Sequence, residues 1–369
     1  MVKLEVLFVL IYIDSSILCA NFYMKGPSFE IMQKVGTIVL SQIVYDEVVN
    51  KFKERLFEGQ RKIHNGIDSV NELLSSPIPE PLSNDQIDSE CKKYSDFLDG
   101  YIIYSGQTIP EPYPTIPHEQ IVKRALLRKR PFKEDGSTGY RDYLVWMSCI
   151  NVARTYAQED IHFISCNIRD FSDTKDKEKL HPDLMADLQK AEIPNTRFHY
   201  WISIKDFVDK YANEIAQSID DYNLLINEIE LNKSGFQEPI HGFVLSIIGI
   251  DLSDQGVFVP GINPVLRSIE EEIVTHIEDI KDIGDEYLLD ANYECVGAIE
   301  SSINQDELID YKDEFKLEVV SKKGNTVQIN TILGLQIKLR MTFSKAGKSI
   351  SSIELIEVED YYCPFCEYE

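Results

Sequence analysis

The chain has 369 residues, of which 43% are hydrophobic and 27% charged, and its formal net charge is -25. This is the composition of an ordinary soluble protein, and the length is sufficient for two domains, since single cores stop growing near ~250 to 300 residues. The acidic balance excludes a generic nucleic-acid coat protein, because binding to phosphates requires local positive charge.

The chain begins with an unbroken apolar run over residues 6–13, which ends at Asp14 and Ser15. A signal peptide is the alternative interpretation of this terminus. However, Glu5 and Asp14 interrupt the apolar segment, and eight apolar residues are too few to span a bilayer. The run therefore predicts a buried strand with an acid at its carboxyl end, and no membrane segment.

A helical pattern over residues 17–35 leads to a second strand-like run, residues 37–44. Directly after this run, Glu47 lies near the start of a long, charged helical pattern, residues 45–74, which could carry a phosphate-facing surface. A strand, a helix and a second strand in this order predict a parallel sheet.

The next segment, residues 75–117, holds seven of the 15 prolines and predicts an insertion with a short helix at 86–99 that covers the site. Residues 118–129 resume a helical pattern that stops before Pro131. A basic run begins in this pattern and continues past it, and it includes Arg124, Arg128, Lys129, Arg130 and Lys133. The run is either a solvated helix face or, beside carboxylates, a surface that attracts a polyanion.

Two more acids follow at element boundaries. Asp142 falls in the first turn of a predicted helix that continues to residue 156, where the macrodipole favours an anion, and an acid there is more often a cap than a catalyst. Residues 161–166 read as a buried strand, and Asn167 and Asp170 follow its carboxyl end, where open α/β sheets bind ligands.

Asp14, Glu47, Asp142 and Asp170 thus recur at the edges of successive strands and helices. In a parallel sheet those edges converge. Convergent carboxylates repel one another unless cations lie between them, so the pattern predicts a cation site.

The order of these motifs resembles the PIN-domain nucleases. In particular, Arg130-Pro131-Phe132 before Gly139-Tyr140-Arg141-Asp142, followed by Asn167-x-x-Asp170-Phe171, resembles a larger bacterial branch of that family. The resemblance covers roughly residues 5–205. It implies a three-layer α/β/α domain, residues 1–205, built on a central parallel sheet.

The resemblance also implies an activity, that of a metal-dependent endonuclease, and it favours RNA over DNA as the substrate. The four acids would hold Mg²⁺ or Mn²⁺, and Ser15, Ser165 and Asn167 would orient carboxylates or phosphate. Six basic residues would bind the substrate: Arg124, Arg128, Lys129, Arg130, Lys133 and Arg141. Two alternatives stay open, a nuclease-like binding or sensory protein and an effector regulated by the C-terminal half.

The rest of the chain predicts a last strand of the sheet at 196–202, a helical linker at 206–234 and a smaller α+β, mainly antiparallel domain at 235–369. In that domain we expect a helix at 265–283. Strands are expected at 242–250, 257–260, 314–321, 325–332, 336–343 and 351–359. Between Asp251 and Asp313 there are 17 acidic and 3 basic residues, so this half is expected to mediate self-association or bind a regulatory partner rather than nucleic acid.

The seven cysteines are an odd number spread along the chain, which is not typical of a disulfide framework and favours a reducing, cytoplasmic location. Cys363 and Cys366 have the spacing of half a zinc site, but a closed tetrahedral site needs two more ligands and the sequence has no second such pair. A tail with two free thiols is the simpler interpretation.

Overall fold

The computed structural model describes residues 9–360 except 72–82, 105–107, 133–137, 217–218, 220–221, 254, 256, 258 and 312–316. The chain divides into two compact units, Met1–Tyr211 and Ala212–Glu369. Among the described residues, no helix is both long and apolar enough to cross a membrane. Lys133 and the cysteine pair at 363 and 366 lie outside the described residues.

The first unit is built on a parallel five-stranded sheet. Its strands are β1 (Val9–Ile13), β2 (Thr37–Ser41), β3 (Thr108–Glu111), β4 (Asp160–Ile164) and β5 (Phe198–Trp201), in the order β3-β2-β1-β4-β5. The chain moves outward from β1 in one direction through β2 and β3, and in the other through β4 and β5. The carboxyl ends of β1 and β4 therefore border the crevice where such sheets bind ligands.

Nine helices are described in or at the edge of this unit: α1 (Ser15–Ala20), α2 (Pro27–Val35), α3 (Gln42–Asn71), α4 (Asn84–Tyr104), α5 (His118–Leu126), α6 (Tyr140–Thr155), α7 (Ile168–Phe171), α8 (Pro182–Lys190) and α9 (Ile204–Ile215). Both faces of the sheet are covered. Phe163 contacts Trp146 of α6, whereas the adjacent His162 contacts Tyr211 of α9, and successive strand residues point to opposite faces. The predicted α/β fold with a central parallel sheet is confirmed.

Two predictions for this unit need correction. The segment 75–117 is more than an insertion, because its residues 108–111 form the edge strand β3, which pairs with β2. Its helix α4 is also longer than predicted. The second strand ends at Ser41, so Glu47 lies in the second turn of α3 rather than at its start.

The second unit is a long antiparallel sheet with helices on it. Its strands are β6 (Ile262–Asp282), β7 (Glu286–Asn304), β8 (Glu318–Lys323), β9 (Thr326–Ser344) and β10 (Ser349–Asp360), in the order β10-β9-β7-β6 with β8 beside β9. The helices are α10 (Tyr222–Glu230), α11 (Glu238–Ser246) and α12 (Gln305–Tyr311), with a π-helical turn at Lys233–Gln237. The mainly antiparallel α+β prediction is confirmed.

Several element predictions in this unit are wrong. A helix was predicted at 265–283, but strand β6 occupies Ile262–Asp282, and the register of β6 against β7 shifts at five places. Each β-bulge adds a residue, so the core-facing residues Leu266, Ile269, Ile277 and Ile280 recur at intervals that mimic a helix. Residues 242–250 include most of helix α11 rather than a strand, and an unbroken apolar run does not distinguish the two.

The segment predicted as a linker, residues 206–234, is divided between the units. Phe207 and Tyr211 of α9 are buried in the first unit, where Tyr211 bonds His162. Ile229 of α10 and Phe236 belong to the core of the second unit. Two separate helices, α9 and α10, stand where one helical linker was predicted at 206–234.

Candidate active site

Asp14 lies directly after β1, at the N-terminus of α1, and only 3% of it is exposed. Its side chain does not cap α1. Instead, Ser16 Oγ and Ser165 Oγ each donate a hydrogen bond to Asp14 Oδ2 at 2.7 Å. Two hydroxyl groups, one in α1 and one directly after β4, therefore fix the orientation of this buried carboxylate. Ser16, rather than the predicted Ser15, makes the contact on the α1 side.

The corner after β4 extends this network to a second acid. The backbone N–H of Asn167 donates to Ser165 Oγ at 3.1 Å, and Asn167 Nδ2 donates to Asp142 Oδ1 at 2.9 Å. Asp142 lies in the first turn of α6. A continuous chain of hydrogen bonds thus runs from Asp14 to Asp142 through two residues that the sequence had marked as orienting groups.

The pKa of Asp142 is affected by the charges of the other three candidate acids. Burial, followed by the charges of Asp170, Asp14 and Glu47, raises its pKa to about 6. Acids from α3, α6, α7 and the N-terminus of α1 are therefore close enough to form one electrostatic group. Since like charges disfavour ionisation, the group accommodates a proton or a cation readily.

Asp170 lies in α7 and is 6% exposed. Its buried Oδ1 has no hydrogen-bond partner among the described residues, and Arg130 Nη1 lies 3.9 Å away, beyond hydrogen-bond distance. Glu47 is paired more closely, since its Oε1 lies 3.0 Å from Arg141 Nη1. Two arginines thus act as counterions to two of the four acids.

The donor chemistry suits a hard divalent cation. All four side chains offer carboxylate oxygens, and the unpartnered Oδ1 of Asp170 lacks a positive group at bonding distance. In this arrangement, however, no three histidine, cysteine, aspartate or glutamate side chains of the described residues are placed to hold one ion together. The type of side chain and the position of the acids after the strands suit a metal. The four carboxylates would have to move closer together to bind the same ion.

The predicted basic run divides into residues with different surroundings. Arg128 and Lys129 are exposed after α5, and Arg130 is half-buried and faces Asp170. Arg124 does not fit the prediction, because it is 8% exposed and ion-paired with Asp187 at 2.7 Å. Its guanidinium Nε also donates to the backbone carbonyl of Arg130 at 2.8 Å, so Arg124 supports the chain inside the protein.

Helix α8 holds the backbone of Arg130 in place. No motif in the sequence indicates this role of the helix. Asp183 Oδ2 accepts a hydrogen bond from the backbone N–H of Arg130 at 2.9 Å. Asp187 accepts from Arg124 and from Trp146 Nε1, at 2.9 and 3.0 Å, and so connects α5 and α6. The acids at positions 183 and 187 were missed because their only sequence signal is a four-residue spacing on an ordinary helix.

Gly139 explains why Arg130-Pro131-Phe132 and Gly139-Tyr140-Arg141-Asp142 occur together. Gly139 has a φ of 103°, and a side chain there would overlap the carbonyl oxygen of Pro131. Only glycine permits both the backbone conformation and this close approach. The two motifs are therefore packed against each other, and together they present Arg130 and Arg141 to the acids.

Comparison with known proteins gives one match. The family model described as PIN domain matches residues 11–171, a range that contains all four acids and the two arginines beside them. No curated protein and no solved structure matches the chain.

Proposed function

Residues 11–171 are a PIN domain, a member of a family of nucleases that generally use divalent metals, and from this premise we propose that the chain is an Mg²⁺- or Mn²⁺-dependent endoribonuclease. The observation that supports this proposal most strongly concerns Asp142. Its raised pKa, caused by burial and by the charges of Asp170, Asp14 and Glu47, is the property of a carboxylate group arranged to receive cations.

In this proposal Asp14, Glu47, Asp142 and Asp170 hold the metal. A divalent metal held there would supply two things, activation of a water molecule and neutralisation of charge on the leaving oxygen. The chain itself needs no nucleophile. Ser16 and Ser165 keep Asp14 in one orientation, and Asn167 does the same for Asp142, so these hydroxyl and amide groups pre-organise the ligands.

Arg130 and Arg141 have a second role in this proposal. Arg130 lies beside Asp170, and Arg141 lies beside Glu47. A bound metal would neutralise these two acids in place of the arginines. Their guanidinium groups would then contact phosphate, which planar guanidinium donors match bidentately. Arg128 and Lys129 are exposed and would extend the phosphate-binding surface.

We assign a regulatory role to the second unit. Ten of the 17 acidic residues between positions 251 and 313 belong to β6 and β7, and this excess of negative charge repels a polyanion. This unit would accordingly associate with a second copy of the chain or bind a regulatory partner, while the first unit binds RNA.

The full chain should be incubated with labelled single-stranded RNA, duplex RNA and single-stranded DNA, each with Mn²⁺, Mg²⁺ or excess EDTA. The proposal expects internal cleavage of RNA with a divalent metal and none with EDTA. Equal cleavage with EDTA would contradict the metal site. Cleavage of DNA alone would contradict the substrate assignment while preserving the nuclease.

A further inference from the structure

A cluster of aromatic side chains lies immediately beyond α1. Phe22 and Tyr23 follow this helix and pack against Phe52 of α3 and Tyr94 and Phe97 of α4. The rings of Phe52 and Tyr94 are stacked, with centroids 4.2 Å apart. We refer to these five residues as the aromatic cluster.

Packing between helices explains only part of the aromatic cluster. Tyr94 is fully buried, and its hydroxyl donates to the backbone carbonyl of Phe22 at 3.1 Å, which holds the loop in place. Tyr23, in contrast, is 43% exposed, although Phe97 and Tyr94 contact its ring at 5.3 and 5.7 Å. Tyr23 is therefore an aromatic ring that is fixed by its neighbours and still open to solvent.

Cations accompany these rings. Lys25 Nζ lies 5.6 Å from the centre of the Tyr23 ring, and the Arg55 guanidinium carbon lies 5.1 Å from the centre of the Phe22 ring. An exposed ring with positive charges close by matches the two parts of an unpaired nucleotide, its base and its phosphates. The ring stacks on the base, and the cations pair with the backbone phosphates.

The aromatic cluster is continuous with the acids. Helix α1 has six residues and connects Asp14 directly to the loop, a length of about 9 Å at 1.5 Å per residue. On α3, Glu47, Lys51 and Arg55 are spaced four residues apart and so share one face.

Cys19 of α1 links the two ends of this surface. Burial raises the pKa of its thiol to about 11, and the charges of Arg55, Glu47, Asp14 and Lys51 also act on it. These four charged groups therefore lie near α1, and with the shared face of α3 they connect the acids to the loop that carries the exposed ring.

We propose that this surface binds single-stranded nucleic acid, with an unpaired base stacked on Tyr23 and backbone phosphates contacting Lys25 and Arg55. The proposal rests on the proposed nuclease function, since it places the strand next to the same acids. A base in a duplex is covered by its neighbours, so stacking on Tyr23 requires an unpaired strand. The ring faces the base and not the sugar, so it selects strandedness rather than RNA over DNA.

The test is equilibrium binding of the full chain to a fluorescent single-stranded oligonucleotide and to the matching duplex, measured by anisotropy in EDTA. Tyr23→Ala removes the ring, Tyr23→Phe retains it, and Lys25→Ala removes the exposed cation beside the ring while leaving the aromatic cluster intact. Tyr222→Ala, which changes a similarly exposed tyrosine of the second unit, is the control. Circular dichroism of each variant reports its folding, and cleavage of RNA by the unmodified chain with Mn²⁺ is measured in parallel.

We expect Tyr23→Ala to weaken single-strand binding by about 5- to 150-fold, the effect of losing one stacked base, and to leave duplex binding unchanged. Tyr23→Phe should bind like the unmodified chain. Lys25→Ala should weaken binding and lower its salt dependence. If Tyr23→Ala fails to fold, Lys25→Ala and the comparison of single strand with duplex decide the question.

Two results would overturn the proposal and are distinguishable. If the unmodified chain cleaves RNA but Tyr23→Ala and Lys25→Ala bind the single strand normally, the stacking surface is refuted and the nuclease stands. If the unmodified chain neither cleaves nor binds nucleic acid, the proposed function fails and this surface fails with it.

Discussion

Replacing Asp142 by Asn should stabilise the metal-free protein at neutral and alkaline pH. The pKa of Asp142 is raised from 3.8 to about 6 in the folded chain, first by burial and then by Asp170 and the other acids. At about 1.4 kcal/mol per pH unit, its ionised form is disfavoured by up to about 3 kcal/mol in the folded state. The Asn side chain is neutral, and its carbonyl oxygen can still accept the hydrogen bond from Asn167.

The sign of the pH dependence follows from linkage. The folded chain holds the proton more tightly than the unfolded chain, so the stability contributed by Asp142 is fully present below about pH 4 and is lost as pH rises through about 6. Asp142→Asn should therefore gain up to about 3 kcal/mol at pH 8 and nothing at pH 4.

Urea unfolding in EDTA, followed by tryptophan fluorescence, measures this gain directly. Trp146 and Trp201 are the chain's two tryptophans, and both lie in the first unit. Asp96→Asn, on the exposed surface of α4, is the matched control and should change stability little at either pH. Equal or lower stability of Asp142→Asn at pH 8 would refute the claim that burial and the neighbouring acids disfavour the ionised form of Asp142.

Three further predictions concern other parts of the chain. Arg128→Ala with Lys129→Ala should weaken RNA binding and lower the slope of log affinity against log salt by about 1.4, as expected for two lost contacts to a single strand, and an unchanged slope would make this run a solvated surface. Arg124→Ala should destabilise the first unit by about 3 to 5 kcal/mol in urea unfolding, because Asp187 loses its ion pair, whereas the exposed neighbour Lys123→Ala should cost less than about 0.5 kcal/mol. A fragment of residues 1–216 should stay folded and cleave RNA, while a fragment ending at 232 should self-associate because it exposes Ile229, and an unfolded 1–216 fragment would mean that the units depend on each other.

The position of the acids follows from simple features of the sequence. Asp14 and Asp170 come after apolar runs that form β1 and β4, and Asp142 lies in the first turn of a helix without interruptions. The carboxyl ends of parallel strands meet, so their convergence was predictable. The position of Glu47 could not be predicted from the strand pattern alone, because β2 ends at Ser41 and the first turn of α3 lies between Ser41 and Glu47.

The supporting residues were not predictable in the same way. Arg124 has the same charge as Arg128, and only the packing of α8 determines that one is buried against Asp187 while the other is exposed. Ser15 and Ser16 are identical in type, and the direction of each side chain at the start of α1 decides which one bonds Asp14. Such distinctions arise from tertiary contacts, which a sequence pattern does not contain.

The fold was predictable where apolar runs were short and regular. Strand β3 has the sequence Thr108-Ile-Pro-Glu111, in which a proline and too few apolar residues hide an edge strand. Strand β7 was not predicted, and it pairs with both β6 and β9 over nearly its whole length. Strands of 19 and 21 residues exceed the usual length, and their long-range pairing leaves only a weak local signal.

The central claim is that Asp14, Glu47, Asp142 and Asp170 form a metal-dependent cleavage site. The single-turnover rate of RNA cleavage at saturating protein and Mn²⁺ tests it most directly, with Glu47→Gln compared to Asp46→Asn. These acids are neighbours on α3, but Asp46 is exposed and bonds Gln42 and Tyr113. We expect Glu47→Gln and Asp14→Asn to lose more than about 100-fold in rate, beyond the effect of removing an orienting group, and Asp46→Asn to retain the unmodified rate. Equal rates for Glu47→Gln, Asp14→Asn and the unmodified chain would contradict the account.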